Sequence, residues 1–316
     1  MAPGRRLDRR AFLLASLAAG ACATTPKPPA EPLLMRDDRR LGIQLYSLGP
    51  DAYRDLPATF AAIAQIGYKT VQMNVQGDAA KTRAALDASG LACTSLHTFV
   101  GATNDAAALD RAAAQAAAFA RTVGASYVVT SVPPLAAGKF KPQAGDTQIQ
   151  TLLRAVQAQT PDDWKLTCDT LNAFAQRLQK EGVGFAYHNH NFEFAKLGDG
   201  RIIDTILTNT DPALVKLEID VGWIAAAGLD PQDFIAQYPD RARLMHIKDI
   251  KATTEPNFEL KMDPSEVGRG TQNWRTILDT AIISGVEHFY VEQEPPFAIP
   301  EFEAARFNFN YLTLFR

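Results

Sequence analysis

The side chains able to do chemistry in this sequence are imidazoles and carboxylates standing at the ends of short apolar runs. Of its five histidines, four (His97, His188, His190 and His246) occupy such places. Asp220, Glu292 and Glu294 end later runs, Lys248 and Asp249 follow His246, and Gln44, Tyr46 and Asn74 end the first two. Taken singly, a histidine in a strand is usually a satisfied core residue, and an acid at a strand end is usually a helix cap or a rim charge. Convergence changes that weighing. Unpaired buried carboxylates are costly, so several gathered at one place need a cation or shared protons. Two or three carboxylates with one imidazole make a hard, oxygen-rich set, suited to Mn²⁺, Mg²⁺ or Co²⁺ more than to structural zinc, with Zn²⁺ admissible. A divalent ion chelating a carbonyl and its neighbouring hydroxyl stabilises the enediolate left when the α-carbon loses its proton. A carboxylate on either side of that carbon can serve as base and acid. Isomerisation, epimerisation and β-elimination share this first step.

Eight elements are needed to gather these residues, and the sequence supplies eight apolar runs: 41–48, 70–75, 92–100, 127–132, 184–190, 215–222, 242–249 and 288–294. Between them lie segments with apolar residues three and four apart, such as 167–179 and 274–283. Strands alternating with helices imply βαβ units, and eight repeats imply closure into a single-domain (β/α)₈ barrel over residues 41–316. The runs are nearly continuous in apolar character, as expected when both faces are covered. No Gly-x-Gly-x-x-Gly follows the first run, so a dinucleotide fold lacks its phosphate turn. In such barrels the C-terminal ends of the strands carry the site. Segment 133–161, rich in Gly, Pro, Gln and Ala, follows the fourth run on that face and reads as a long loop, either lid or passive insertion. Cys93 and Cys168 read as small core residues.

The chain has 316 residues, 47% apolar, with a formal charge of −3. That suffices for a large core, and no concentrated basic face invites nucleic acid. Residues 1–23 read as an export signal: Arg9-Arg10-Ala11-Phe12-Leu13 fits the twin-arginine pattern and an apolar stretch follows to residue 23. That stretch is too short to span ~30 Å of hydrocarbon, so no transmembrane segment is expected. Ala19-Gly20-Ala21 offers a cleavage site, and Cys22 offers a lipid acceptor instead. Residues 24–40 then form a Pro-rich linker.

Five pieces in order carry a resemblance: Tyr187-His188-Asn189-His190-Asn191-Phe192-Glu193-Phe194, Leu217-Glu218-Ile219-Asp220-Val221-Gly222-Trp223, Met245-His246-Ile247-Lys248-Asp249, Glu266-Val267-Gly268-Arg269-Gly270 and Val291-Glu292-Gln293-Glu294. The chain after residue 40 resembles the sugar phosphate isomerase/epimerase family, with its xylose-isomerase-like barrel. The resemblance implies one divalent ion held by an acid from strand five, an Asp from strand six, a His from strand seven and a Glu from strand eight. The last three fall on Asp220, His246 and Glu292. For the first, the resemblance points to Glu193, with His188 or His190 as the fallback. If an imidazole takes that place, the site resembles the subgroup acting on keto-glycosides and cyclitols. His188, His190, Glu193 and Glu292 are the candidates for proton transfer. His97, Trp223, Lys248, Glu266 and Arg269 are candidates for substrate contact, with core packing the alternative for Trp223 and a rim ion pair with Asp249 the alternative for Lys248.

The expected function is an exported, metal-dependent isomerase, epimerase or lyase for a small sugar or keto-sugar. Phosphorylated sugars are scarce outside the cytoplasm and no phosphate cradle is visible, so the substrate is expected to lack a phosphate. The alternative is a non-catalytic carbohydrate-binding lipoprotein on the same barrel, which has no use for a cation site.

Overall fold

The computed structural model describes residues 30–36, 39–101, 105–136 and 138–316. The expected export signal, Cys22 and the first part of the linker lie outside the described residues. Each of the eight runs contains one strand: β1 (Leu41–Gln44), β2 (Thr70–Asn74), β3 (Ala92–Thr98), β4 (Tyr127–Thr130), β5 (Gly184–His188), β6 (Val215–Asp220), β7 (Ala242–Ile247) and β8 (His288–Val291). Within the barrel all neighbouring pairs are parallel, each strand lies beside its neighbours in sequence, and β1 closes on β8, while two short antiparallel pairs (Lys196–Leu197 with Gly200–Arg201, Asp249–Ile250 with Pro264–Ser265) lie outside it. The helices are α1 (Leu56–Ile66), α2 (Ala79–Ser89), α3 (Ala106–Val123), α4 (Gln148–Gln157), α5 (Pro161–Lys180), α6 (Ile202–Asn209), α7 (Val221–Ala226), α8 (Pro231–Ala236), α9 (Trp274–Ile283) and α10 (Glu301–Leu312). The chain is therefore a closed (β/α)₈ barrel.

Strand residues are buried on both faces because side chains fill the interior while helices cover the outside. Inside the barrel, Val129, Ala186, Leu244 and Tyr290 form an apolar layer. Gly42 makes room for it, since a Cβ there would stand 2.7 Å from the Tyr290 ring. Cys93 and Cys168 are buried and unbridged.

Several strands are shorter than their apolar runs, because polar side chains at the ends take the backbone into turns. Gln44 accepts the Tyr46 amide hydrogen and starts a 3₁₀ turn over Leu45–Leu48. Asp220 caps α7, so Val221 and Gly222 belong to that helix and not to a strand. Segment 133–161 is not one long loop: Thr147 and Gln150 form a capping box that starts α4 within it. The linker also ends earlier than expected. Leu33 and Leu34 are buried in the core, and the Leu33 amide donates to the Phe315 carbonyl at 2.9 Å. Among the described residues, no helix is long and apolar enough to cross a membrane.

Candidate metal centre

Strand alternation sends Glu218 and Asp220 of β6 to the same, inward face, and both are fully buried. Asp220 also begins α7, and this fixes its carboxylate. Oδ1 accepts the Trp223 amide hydrogen at 2.9 Å. Oδ2 is turned into the barrel mouth and buried, its nearest partner the Lys248 ammonium. It lies 2.8 Å from Lys248 Nζ, 3.5 Å from His246 Nδ1 and 3.7 Å from His188 Nε2. His246 pairs with Asp220 across the β6–β7 ladder and brings Nδ1 to 2.7 Å from Glu292 Oε2. The donor atoms of Asp220, His246 and Glu292 lie within 4.8 Å of one another. Residues 246 and 292 are 46 positions apart in sequence, and the closed sheet brings them together.

Lys248 supplies a positive charge here. Its Nζ is 2.9 Å from Glu292 Oε2 and 3.1 Å from Glu294 Oε1, and it lies 4.9 Å from the Trp223 ring centroid. It does not pair with Asp249, the alternative considered from sequence. Asp249 turns the other way and accepts from the Gly268 amide and Trp274 Nε1, clamping the loop after β7.

Below this group a second one centres on Glu218. Its Oε2 is 2.7 Å from His97 Nε2 and 2.9 Å from His188 Nδ1, and its Oε1 accepts from Gln72 Nε2. Gln72 also faces His246 Nε2 with its carbonyl oxygen. His97 stacks on His246, with centroids 5.5 Å apart, and lines a cleft of about 290 Å³ with Asn74 and Ser131.

The charges follow from burial and neighbours. Burial works against ionisation of Asp220, but Lys248 and His246 hold its carboxyl below the usual range. Glu292 is likewise opposed by burial and held well down by Lys248 and His246. Burial opposes a charge on His246, yet Glu218 and Glu292 raise it to about 10. Burial pushes Glu294 up, against the pull of Lys248. Burial, His188 and Lys248 keep the His190 ring neutral.

The residues fit a divalent cation. Asp220 Oδ2 is a buried oxygen on which the Glu292 carboxylate and the His246 imidazole converge, and the charge that Lys248 partly offsets there is what a cation would complete. Glu193, the expected fourth ligand, belongs to neither group. The 3₁₀ turn Phe192–Phe194 folds its carboxylate back on its own strand end, where Oε1 accepts from the Tyr187 hydroxyl at 2.7 Å and Oε2 from the His190 amide at 2.9 Å. Burial raises it to about 8. His188, the last residue of β5, stands beside Asp220 instead.

The remaining candidates scatter. His190 packs between Phe192 and Trp223, and its Nδ1 is buried without a partner. The Trp223 indole nitrogen is also unpartnered. Glu266 is buried with one free oxygen, its other oxygen 3.4 Å from Arg269. Arg269 is half-exposed and lies over the Phe307 ring. Sequence reading missed Glu218 and Gln72. The alternation that marked Asp220 and Asn74 also marks residues two positions earlier on the same faces.

A family model described as xylose isomerase-like TIM barrel matches residues 60–306. The chain belongs to that family. Among solved structures of the xylose isomerase-like fold, a sugar phosphate isomerase/epimerase from Parabacteroides distasonis is similar over 91% of this chain and 98% of its own, at TM-score 0.69 and 23% identity. A xylose isomerase-like TIM barrel protein from Mycobacterium smegmatis in complex with magnesium covers 87% of this chain and 95% of its own, at TM-score 0.60 and 16% identity. An inosose dehydratase of Clostridium beijerinckii is 32% identical over 91 residues, which is 29% of this chain and 30% of that enzyme. The chain therefore matches less than a third of that dehydratase's length.

Proposed function

We propose that this xylose isomerase-like barrel is a divalent-metal-dependent isomerase, epimerase or lyase acting on a sugar or keto-sugar through an enediolate. The observation that carries the reading is the convergence of Asp220 Oδ2, His246 Nδ1 and Glu292 Oε2 at the mouth of the barrel. These residues would hold the ion. When bound, it supplies positive charge where negative charge develops as the α-carbon loses its proton. The protein's own groups do the rest. Lys248 keeps an ammonium against the carboxylates and can turn it to a substrate oxygen. The neutral His190 ring has a free nitrogen to take up or return a proton, the requirement for general acid–base work. The unpartnered Trp223 indole N–H can donate to a substrate hydroxyl. Dehydration is a β-elimination, so the dehydratase relative favours including lyase chemistry.

Residues 1–23 are proposed as a twin-arginine export signal, with cleavage after Ala21 or lipid attachment at Cys22. An extracellular setting accords with an unphosphorylated substrate. Replacing Arg9 and Arg10 by lysine and fractionating the cells tests this, and unchanged distribution would refute it.

For the activity, the purified protein is stripped with a chelator and assayed on ketoses and keto-glycosides. Activity should vanish and return with Mn²⁺, Mg²⁺ or Co²⁺. Activity that persists after complete metal removal defeats the proposal.

A further inference from the structure

Hydrogen-bond direction can be read through the lower group from a fixed starting point. The Tyr46 amide can only donate, and it meets Gln44 Oε1 at 3.3 Å. Gln44 must therefore present its NH₂ to Gln72, which it does at 2.8 Å, on Oε1. Gln72 then has its own NH₂ on the other side, where it donates to Ser95 Oγ and to Glu218 Oε1. The Gln72 oxygen also faces His246 Nε2, so that nitrogen carries a proton; Nδ1, which without an ion donates to Glu292 Oε2 at 2.7 Å, is the nitrogen that would release its proton to ligate one. At Glu218 the same logic applies. An ionised carboxylate only accepts, so His188 Nδ1 is the protonated nitrogen and His188 Nε2 presents its lone pair towards Asp220 Oδ2, 3.7 Å away. Two electron-rich atoms then face each other in a buried space.

We infer that Glu218 is a positioning residue. Together with Gln72 it fixes the ring tautomers of His188 and His246, and so makes His188 Nε2 the fourth ligand beside Asp220, His246 and Glu292. This rests on the metal reading above. A histidine ligand commonly donates its other ring N–H to a carboxylate or carbonyl, which sets its orientation and basicity. Here one carboxylate serves two rings. Glutamine cannot replace it, because donors approach both oxygens: Gln72 at Oε1, His97 and His188 at Oε2. An amide would turn its NH₂ against one of these sets. The inner group of His97, His188, Glu218 and His246 could itself be read as an ion site. Its nitrogens on His188 and His246 are the two that hold protons, however, and an ion there would compete with the outer one for the same rings. One ion per chain is the expected stoichiometry.

The test is Mn²⁺ titration of metal-free protein, following free Mn²⁺ by electron paramagnetic resonance, with imidazole ¹⁵N spectra of the metal-free and Mg²⁺-loaded forms. Wild type should bind one ion and show His188 protonated at Nδ1. Glu218→Gln should bind Mn²⁺ about 10–100-fold more weakly and redistribute the His188 tautomer, while Glu193→Gln should keep wild-type affinity. If wild type binds no divalent ion, the metal reading fails and this inference with it. If wild type binds one ion and Glu218→Gln matches it in affinity and tautomer, only the role of Glu218 is refuted. Two ions per chain also refute it. Should Glu218→Gln not fold, the wild-type spectrum decides: a proton on His188 Nε2 overturns the inference, and one on Nδ1 supports it.

Discussion

Lys248 lays its methylenes over the bare α-carbon of Gly222, where a Cβ would stand 2.6 Å from Cγ and 2.9 Å from Cδ. Such separations are well inside van der Waals contact, so the lysine reaches Asp220, Glu292 and Glu294 only because residue 222 has no side chain. Gly222 thus belongs to the site without touching an ion or substrate.

Gly222→Ala should therefore act as an overpacking mutation with an electrostatic consequence. The steric part costs about 1–3 kcal/mol. Pushing the ammonium away adds to it by leaving buried carboxylates less compensated. Thermal melts in chelator should show the larger loss, and melts with excess Mn²⁺ a smaller one. Equal losses in both would show that Lys248 does not share charge compensation with the ion.

Asp220 has two jobs that substitutions can separate. Asparagine keeps an oxygen for the Trp223 amide but removes the charge, whereas alanine removes both. Asp220→Asn should melt below wild type in chelator, because its NH₂ then faces the Lys248 ammonium that lies 2.8 Å from Oδ2. It should also lose most of the ion-induced stabilisation, which for wild type is about 2.7 kcal/mol at an ion concentration 100 times Kd. Asp220→Ala should lose a further ~1 kcal/mol from the missing helix cap. An Asn variant stabilised by Mn²⁺ as much as wild type would remove Asp220 from the ligand set.

The barrel was legible in the sequence because its strands are buried on both faces, which leaves eight separate apolar runs. Asp220, His246 and Glu292 were legible for a related reason: charged side chains interrupt apolar runs only where something compensates them. Glu218 escaped because it lies one alternation deeper, inside the run, where its partners Gln72 and His97 are on β2 and β3. Nothing local marks such a pairing. Glu193 stands apart from the converging group because sequence order places an acid near the end of β5 but does not show which way the following turn points it. The tight Phe192–Phe194 turn returns it to Tyr187.

Asp249 follows Lys248 directly but should behave as a structural clamp. Its carboxylate accepts from Gly268 N at 2.9 Å, Trp274 Nε1 at 2.8 Å and Ile250 N at 3.0 Å. Gly270 packs so close that a Cβ there would stand 2.1 Å from Oδ1. Asp249→Asn turns an NH₂ towards one of these donors, at a cost of about 1–3 kcal/mol. Faster proteolysis within residues 264–272 should accompany the loss, with Mn²⁺ affinity unchanged. A selective loss of Mn²⁺ affinity with normal stability would contradict the clamp.

Glu193 gives the clearest pH signature. Its carboxyl rises from 4.5 to about 8 because burial outweighs the hydrogen bonds from Tyr187 and His190. The folded state therefore holds this proton more tightly than the unfolded chain does. The resulting stability is fully present below pH 4.5 and is lost as pH rises through about 8, since the unfolded carboxyl ionises first. Each unit of displacement is worth about 1.4 kcal/mol. Glu193→Gln has no proton to lose, so the stability of wild type relative to the variant should fall by a few kcal/mol between pH 5 and pH 8.5. Urea unfolding of both proteins in chelator at the two pH values measures this directly. A difference that stays constant with pH would mean that Glu193 is ionised throughout, as a ligand carboxylate would be, and would return it to the candidates for the ion.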